Sequence, residues 1–258
     1  MKVSNYTLYN GDCLEIMKDI PDNSVDMILC DLPYGTTVCK WDVIIPFEDL
    51  WKSYERIIKD DGAVVLFATE PFTSFLITSN LSLYRQKLTW LKTRPTNVFN
   101  AKKQFMKWTE DICIFYKNLP TFNPQMRTDG QTKFKVQHTN HNRTDGVFGK
   151  TGEKEGYVYE NKDGLYYPKT VLEFSNVNNK NECFHPTQKP VSLLEYLIKT
   201  YTNEGETVLD NCMGSGSTGV ACMNTGRKFV GIEKEEKYFK IAEERIKEAS
   251  NNLNKFME

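Results

Sequence analysis

The stretch AVVLFAT, residues 63–69, is apolar from end to end. A strand with one face in water alternates polar and apolar residues. An unbroken run asks instead for a sheet covered on both faces, which means parallel strands with helices packed above and below. The flanking sequence supplies those helices. YTLYN (6–10) reads as a short strand, and DCLEIMKDI (12–20) sets Leu14, Ile16, Met17 and Ile20 at helical spacing. VDMILC (25–30) is a strand, and PFEDLWKSYERIIK (46–59) is a helix opened by proline, with Leu50, Trp51, Tyr54, Ile57 and Ile58 on one face. A short helix over 71–79 leads to the strand-like QKLTWLK (86–92) and DICIFYK (111–117). From about 118 to 185 the alternation lapses into Asn-, Thr-, Gly- and Lys-rich sequence. It resumes with a helix at 190–201, a strand TVLD (207–210), a glycine-rich turn and a helix through about 225. A strand KFVGIE (228–233) and a last helix from 235 complete it. The pattern predicts a doubly wound, Rossmann-like α/β domain interrupted once by a loop-rich insertion.

With 258 residues and 40% hydrophobic content the chain can bury one sizeable core with a smaller attached lobe. Its seven cysteines (13, 30, 39, 113, 183, 212 and 222) are scattered and never in C-x-x-C spacing. They read as reduced core thiols, Cys30 and Cys113 among them, rather than a disulfide framework or a zinc site. The three histidines, at 138, 141 and 185, are too few for a histidine metal centre, and His138-x-x-His141 reads as a solvated loop; no metal is expected. No apolar stretch approaches bilayer-crossing length, and the start lacks a signal peptide's apolar segment, so a cytoplasmic setting with no membrane partner is expected. Residues 85–154 hold fourteen basic against five acidic side chains, a local charge of +9 in a chain whose net charge is −1. A basic middle in an otherwise acidic chain points to a polyanion surface.

The segment TVLDNCMGSGSTGVAC places Gly214, Gly216 and Gly219 as G-x-G-x-x-G between a strand and a helix, and Glu233 ends the next strand. That is the nucleoside-binding half of a Rossmann-type sheet, with the acid accepting ribose hydroxyls. A nicotinamide dinucleotide needs its pyrophosphate on the helix N-terminus, with glycines directly after the strand. Here the strand ends in Asp210 and three residues intervene before the first glycine. A carboxylate there repels a pyrophosphate and suits a cation such as S-adenosylmethionine. An oxidoreductase would also leave DLPYG, Asp31 to Gly35, without a use.

That stretch follows a strand with an acid, a proline and a ring in succession. A turn accounts for the proline and glycine but not for the tyrosine. Methyl transfer to an exocyclic amine accounts for all of it. The lone pair of adenine N6 or cytosine N4 is delocalised into the ring. Accepting its two N–H bonds on the Asp31 carboxylate and the Leu32 carbonyl pushes the nitrogen toward sp³ and frees that pair. Tyr34 can stack on a base swung out of the duplex, and Pro33 fixes the backbone angle.

With these motifs together, the chain resembles a β-class DNA amino-methyltransferase of bacterial or phage type, which carries D-P-P-Y ahead of its cofactor motif. The similarity runs through NGDCLEIMKDIPDNSVDMILCDLPYG, FHPTQKPVSLLEYLIKTYTNEGETVLDNCMGSGSTG and GRKFVGIEKEEKYFKIAEERI, about two-thirds of the chain, in that class's permuted order. The resemblance implies catalytic roles for Asp31, Leu32, Pro33 and Tyr34. It implies an S-adenosylmethionine site at Asp12 (adenine amino group), Asp31, Asp210, the turn residues Cys212, Gly214, Ser215, Gly216 and Thr218, Glu233 (ribose), and Thr187 and Lys189 (methionine end). Trp90, Lys92 and Glu110 match the family's target-base region, with Lys92, Lys102, Lys103 and Lys107 as DNA-contacting cations. The implied organisation is a catalytic half at 1–117, a target-recognition region at 118–184 and a cofactor-binding half at 185–258. The implied partner is double-stranded DNA, with room for a cognate restriction enzyme and a monomeric or homodimeric assembly.

Two departures stand out: Leu32 replaces a proline but keeps the carbonyl, and Asn211-Cys212 replaces the usual Pro-Phe, removing an expected aromatic contact to the cofactor. Aspartate opening the motif leans toward adenine N6. Cytosine N4 is served by the same machinery, and a catalytically silent DNA-binding module is the alternative outside enzymes. Trp41, just past the motif with Asp42, is read either as a DNA or cofactor contact or as a pin for its loop.

Overall fold

A computed structural model describes residues 5–36, 42–128, 135–137, 158–160, 164–176 and 188–256. Trp41, Thr187 and the three histidines lie outside the described residues. In chain order the elements are β1 (Tyr6–Asn10), α1 (Cys13–Ile16), β2 (Val25–Asp31), α2 (Phe47–Ile57), β3 (Ile58–Ala68), α3 (Phe72–Ser79), β4 (Tyr84–Thr96) and β5 (Lys107–Phe115). There follow β6 (Lys135–Gln137), β7 (Val158–Glu160), β8 (Val171–Phe174), α4 (Val191–Tyr201), β9 (Thr207–Asp210), α5 (Ser217–Asn224), β10 (Lys228–Glu233) and α6 (Glu236–Phe256).

Eight of the described strands form one sheet in the order β1-β10-β9-β2-β3-β5-β4-β8. Only β5 is reversed; the other pairings are parallel. The period-two rule divides each strand between two cores. From β2 and β3, Met27, Leu29, Val65 and Phe67 face α4, α5 and α6. Ile28, Cys30, Val64 and Leu66 face α2 and α3 through Leu50, Trp51, Tyr54, Ile57, Phe72 and Leu76. Both faces are covered, as the unbroken apolar run required. Trp51 meets its polar need by donating Nε1–H to Ser79 Oγ at 2.8 Å.

The glycines of the turn serve this packing. Gly216 has φ +78°, and an added Cβ would lie 2.8 Å from Ala242 Cβ on α6. A Cβ at Gly219 would collide with Ile246 on the same helix. The G-x-x-G half of the motif therefore brings α5 close against α6.

The chain forms two compact units, Met1–Asn123 with Lys169–Glu258, and Pro124–Pro168. The second contains the antiparallel pair β6–β7 and an Arg127–Tyr166 bridge, with backbone bonds of 2.8 and 2.9 Å. Within the first unit two elements differ from the sequence expectation. The stretch 12–20 is a single α-turn followed by a 3-10 turn at Met17–Asp19. β8 lies inside the region read as loop, yet it extends the main sheet beside β4. Four residues, VLEF, are too few to reveal a period.

Candidate active site

From β9 the chain crosses through α5 to β10 on one side; from β2 it crosses through α2 to β3 on the other. Neighbouring parallel strands whose connections diverge leave a crevice at their carboxyl ends. Those ends are Asp31 and Asp210. A cleft of 690 Å³ opens there, lined from β2 by Asp31, Leu32, Pro33 and Tyr34, and from more distant elements by Asp12, Trp90, Lys92, Glu110, Lys189, Asn211, Cys212 and Glu233.

The turn after β2 is tightly held. Gly35 has φ +67°, a conformation that favours glycine. The buried Asp42 carboxylate accepts the Gly35 and Thr36 amides, each at 2.9 Å, which fixes the loop immediately beyond the tyrosine. Tyr34 packs its ring on Phe72 at 5.0 Å between centroids and donates its hydroxyl to Asp31 Oδ1 at 2.6 Å. Burial, and next the Asp31 charge, push the Tyr34 hydroxyl well above its usual pKa, so it stays a neutral donor.

The other Asp31 oxygen belongs to a buried line of alternating charge. Lys189 Nζ lies 2.5 Å from Asp31 Oδ2 and 3.4 Å from Glu110 Oε2, and Lys92 Nζ lies 2.5 Å from Glu110 Oε1. The Lys189–Glu110 contact is an ion pair without hydrogen-bond geometry, which leaves Glu110 Oε2 buried and without a hydrogen-bond partner. Two carboxylates and two ammoniums balance, which is the condition for keeping four charges away from water. Burial pushes Asp31 above the ordinary carboxylate value, and Lys189 pulls it partway back. Burial alone would also raise Glu110, but Lys189 and Lys92 hold it below its usual value. For Lys189 burial acts downward; Asp31 and Glu110 outweigh it and raise the ammonium's pKa. Lys92, expected from sequence to contact DNA, is 5% exposed and committed to Glu110. Its ammonium is paired with Glu110 in the cleft lining, which makes Lys92 a member of the buried line. Lys102, Lys103 and Lys107 are exposed, on and beside the β4–β5 connection.

At the opposite end of the cleft, Glu233 accepts the Gly214 amide at 2.8 Å and the Glu235 amide at 2.7 Å. Two amides fix the carboxylate while leaving lone pairs for further donors. Asp12 caps α1 through Leu14 N–H at 3.0 Å and pairs with Lys234 at 3.1 Å. Asp210 lies behind the lining rather than in it. It is 3% exposed and absent from the lining; its oxygens accept Cys212 N–H at 3.1 Å and the Thr218 hydroxyl at 2.6 Å. Burial raises its pKa to about 6. Gly214, Ser215, Gly216 and Thr218 likewise do not line the cleft. Ser215 Oγ instead bonds Gln188 Oε1 at 3.1 Å, tying the glycine turn to the segment that carries Lys189. Asn211, in place of the usual proline, is held by the buried Tyr54 hydroxyl at 2.6 Å. Cys30 and Cys113 are core residues whose thiols burial pushes up to about 12.

The lining contains six carboxylates (Asp12, Asp31, Asp42, Glu110, Glu233 and Glu235) against four cations (Lys92, Arg94, Lys189 and Lys234). That surplus fits a cationic ligand and opposes a pyrophosphate, so the discrimination expected of Asp210 rests with the cleft as a whole.

Comparison with known proteins agrees with this geometry. A family model described as "DNA methylase" matches residues 25–244. The type II methyltransferase M.HpaI of Haemophilus parainfluenzae is 26% identical over 257 residues, covering 94% of this chain and 74% of that protein. The DNA adenine methyltransferase YhdJ of Escherichia coli (strain K12) is 28% identical over 265 residues, covering 95% and 84%. Among solved structures, the M1.HpyAVI–SAM complex matches with a TM-score of 0.64 at 25% identity, covering 93% of this chain and 98% of that one. The PvuII cytosine-N4-specific DNA methyltransferase shares the fold, with a TM-score of 0.63 at 16% identity over 97% of this chain and 93% of that one.

Proposed function

The chain belongs to the DNA methylase family, and on that premise we propose that it transfers a methyl group from S-adenosylmethionine to adenine N6 of a base swung out of double-stranded DNA. The observation that carries this reading is a carboxylate, Asp31, at the crevice between diverging strands, bonded to Tyr34 and backed by a buried ammonium. When bound, the cofactor supplies an electrophilic methyl on a sulfonium, and the acid-rich lining is the chain's provision for that positive charge.

The chain's own part is to make N6 nucleophilic. Asp31 Oδ1, turned away from Lys189, accepts one N–H as Tyr34 releases it, and the Leu32 carbonyl accepts the other. Tyr34 then stacks on the base. Lys189 keeps Asp31 ionised until the amine has a proton to release, and burial of Asp31 favours its holding that proton. Asp12 and Glu233 serve the nucleoside of the cofactor, while Asp210, Thr218 and Ser215 act through the fold of the turn. The identity of YhdJ as an adenine methyltransferase supports adenine over cytosine. The basic run at 85–154 supports duplex DNA, and a cytoplasmic setting follows from that substrate. The test is expression in a methylation-free host followed by sequencing of its genome for modified bases; N6-methyladenine at a recurrent sequence is expected, and an unmodified genome would reject the proposal.

Two variants probe the halves of the site. Catalysis requires ionised Asp31, so activity is present above its pKa and lost as pH falls through it. Lys189 lowers that pKa. Lys189→Met should therefore move the acid limb of the kcat profile to higher pH; an unmoved limb would remove Lys189 from this role. Glu233→Ala should weaken S-adenosylmethionine binding by about ten- to a hundredfold, the worth of charge-assisted bonds to ribose hydroxyls. Calorimetry showing unchanged affinity would contradict the ribose assignment.

A further inference from the structure

The connection between β4 and β5 leaves the sheet at the same edge as Asp31. β5 runs antiparallel to both β3 and β4, so β4 ends at the edge where β2 and β3 end. Arg94, Pro95 and Thr96, the last residues of β4, already line the cleft. The next ten residues, NVFNAKKQFM (97–106), form a tip that turns through a 3-10 segment at Val98–Asn100. On it Phe99 and Phe105 stand wholly in solvent, and Val98, Met106 and, at the start of β5, Trp108 are exposed as well. Scattered exposed apolar residues are ordinary, but two bare phenylalanines grouped with three more apolar side chains mark a contact surface. The tip carries Lys102 and Lys103, Lys107 opens β5, and no acidic residue lies between Asn97 and Trp108. Rings among ammoniums match a partner with phosphates outside and stacked bases within. An anionic bilayer matches that composition too, but the tip rises from the cleft wall, where the substrate must pass.

We propose that this tip is a wedge that opens the duplex. The Phe99–Phe105 pair enters the base stack at the step from which the target base leaves, and Lys102, Lys103 and Lys107 hold the neighbouring phosphates. This rests on duplex DNA being the substrate. Extruding a base forfeits its stacking and pairing, and apolar side chains pushed between base steps hold the opened duplex.

A wedge matters only where there is a pair to open, which separates it from a simple phosphate grip. The experiment measures methyl transfer by wild type and F99A/F105A to two synthetic duplexes bearing a sequence that wild type methylates in cells. One duplex is fully paired; the other has an abasic site opposite the target base. The variant should lose about ten- to a hundredfold in kcat/KM on the paired duplex but stay within about threefold of wild type on the abasic one. Its calorimetric affinity for S-adenosylmethionine should match wild type. Equal activity on the paired duplex, or equal loss on both, overturns the wedge. Equal loss together with dissociation of a wild-type dimer assigns the patch to a second copy of the chain. Loss of wild-type binding to anionic vesicles with activity on both duplexes intact assigns it to a membrane. A wild type that methylates neither duplex overturns the substrate reading itself, so the two failures are distinct.

Discussion

Asp31→Ala is expected to lower methyl transfer by at least about 10²–10³-fold, the scale of losing one preorganised group that meets charge developing in a transition state. In the proposed reaction its carboxylate accepts the amine's N–H, and Lys189 and Tyr34 each hold one of its oxygens. S-adenosylmethionine affinity should change only a few-fold, roughly the size of a surface substitution, because the proposed nucleoside contacts, Asp12 at the start of α1 and Glu233 at the end of β10, come from other elements. Asp31→Asn, which keeps one acceptor oxygen but no charge, should fall between. Single-turnover assays with calorimetry on the same preparations provide the check, and near-normal turnover in the alanine variant would end the catalytic assignment.

Glu110→Gln should produce the largest loss of stability. Glu110 is the carboxylate between two ammoniums, with side-chain exposures of 18% for Glu110, 5% for Lys92 and 8% for Lys189. Neutralising it leaves two buried cations facing one carboxylate, and breaking a buried pair in this way costs about 3–5 kcal/mol. Adding Lys92→Met removes the stranded charge and restores a one-to-one pair of Asp31 and Lys189. The double variant should therefore be more stable than Glu110→Gln alone. Urea midpoints at constant m-value read this out. A double variant no better than the single would show that the charges are not coupled.

Much of this architecture can be read from the chain because it depends on local pattern. Apolar AVVLFAT requires two covered faces, and both are present in the packing of Val64 to Phe67. Asp31, Leu32, Pro33 and Tyr34 sit together in the cleft because four neighbours in sequence are neighbours in space. What escapes the sequence is long-range. Lys189 meets Asp31 across 158 positions, and Tyr54 reaches Asn211 across 157; no periodicity reports such pairs. Lys92 looks like one more cation in a basic run until its burial against Glu110 is known. Asp210 and Thr218 lie in a motif whose name suggests ligand contact, yet their side chains bond each other behind the cleft wall. The spacing of glycines cannot distinguish approach to a ligand from approach to a helix, and Gly216 makes the second.

If Asp31 in this cleft directs a methyl group onto adenine N6, the product base and its dependence on Asp31 can be read in one assay. Purified protein is incubated with unmethylated DNA and S-adenosylmethionine labelled in its methyl group, the DNA is digested, and its nucleosides are resolved by mass. Label in N6-methyl-2′-deoxyadenosine from wild type, and none from Asp31→Ala, is the expected result. Label in N4-methyl-2′-deoxycytidine, or undiminished label in the variant, would contradict it.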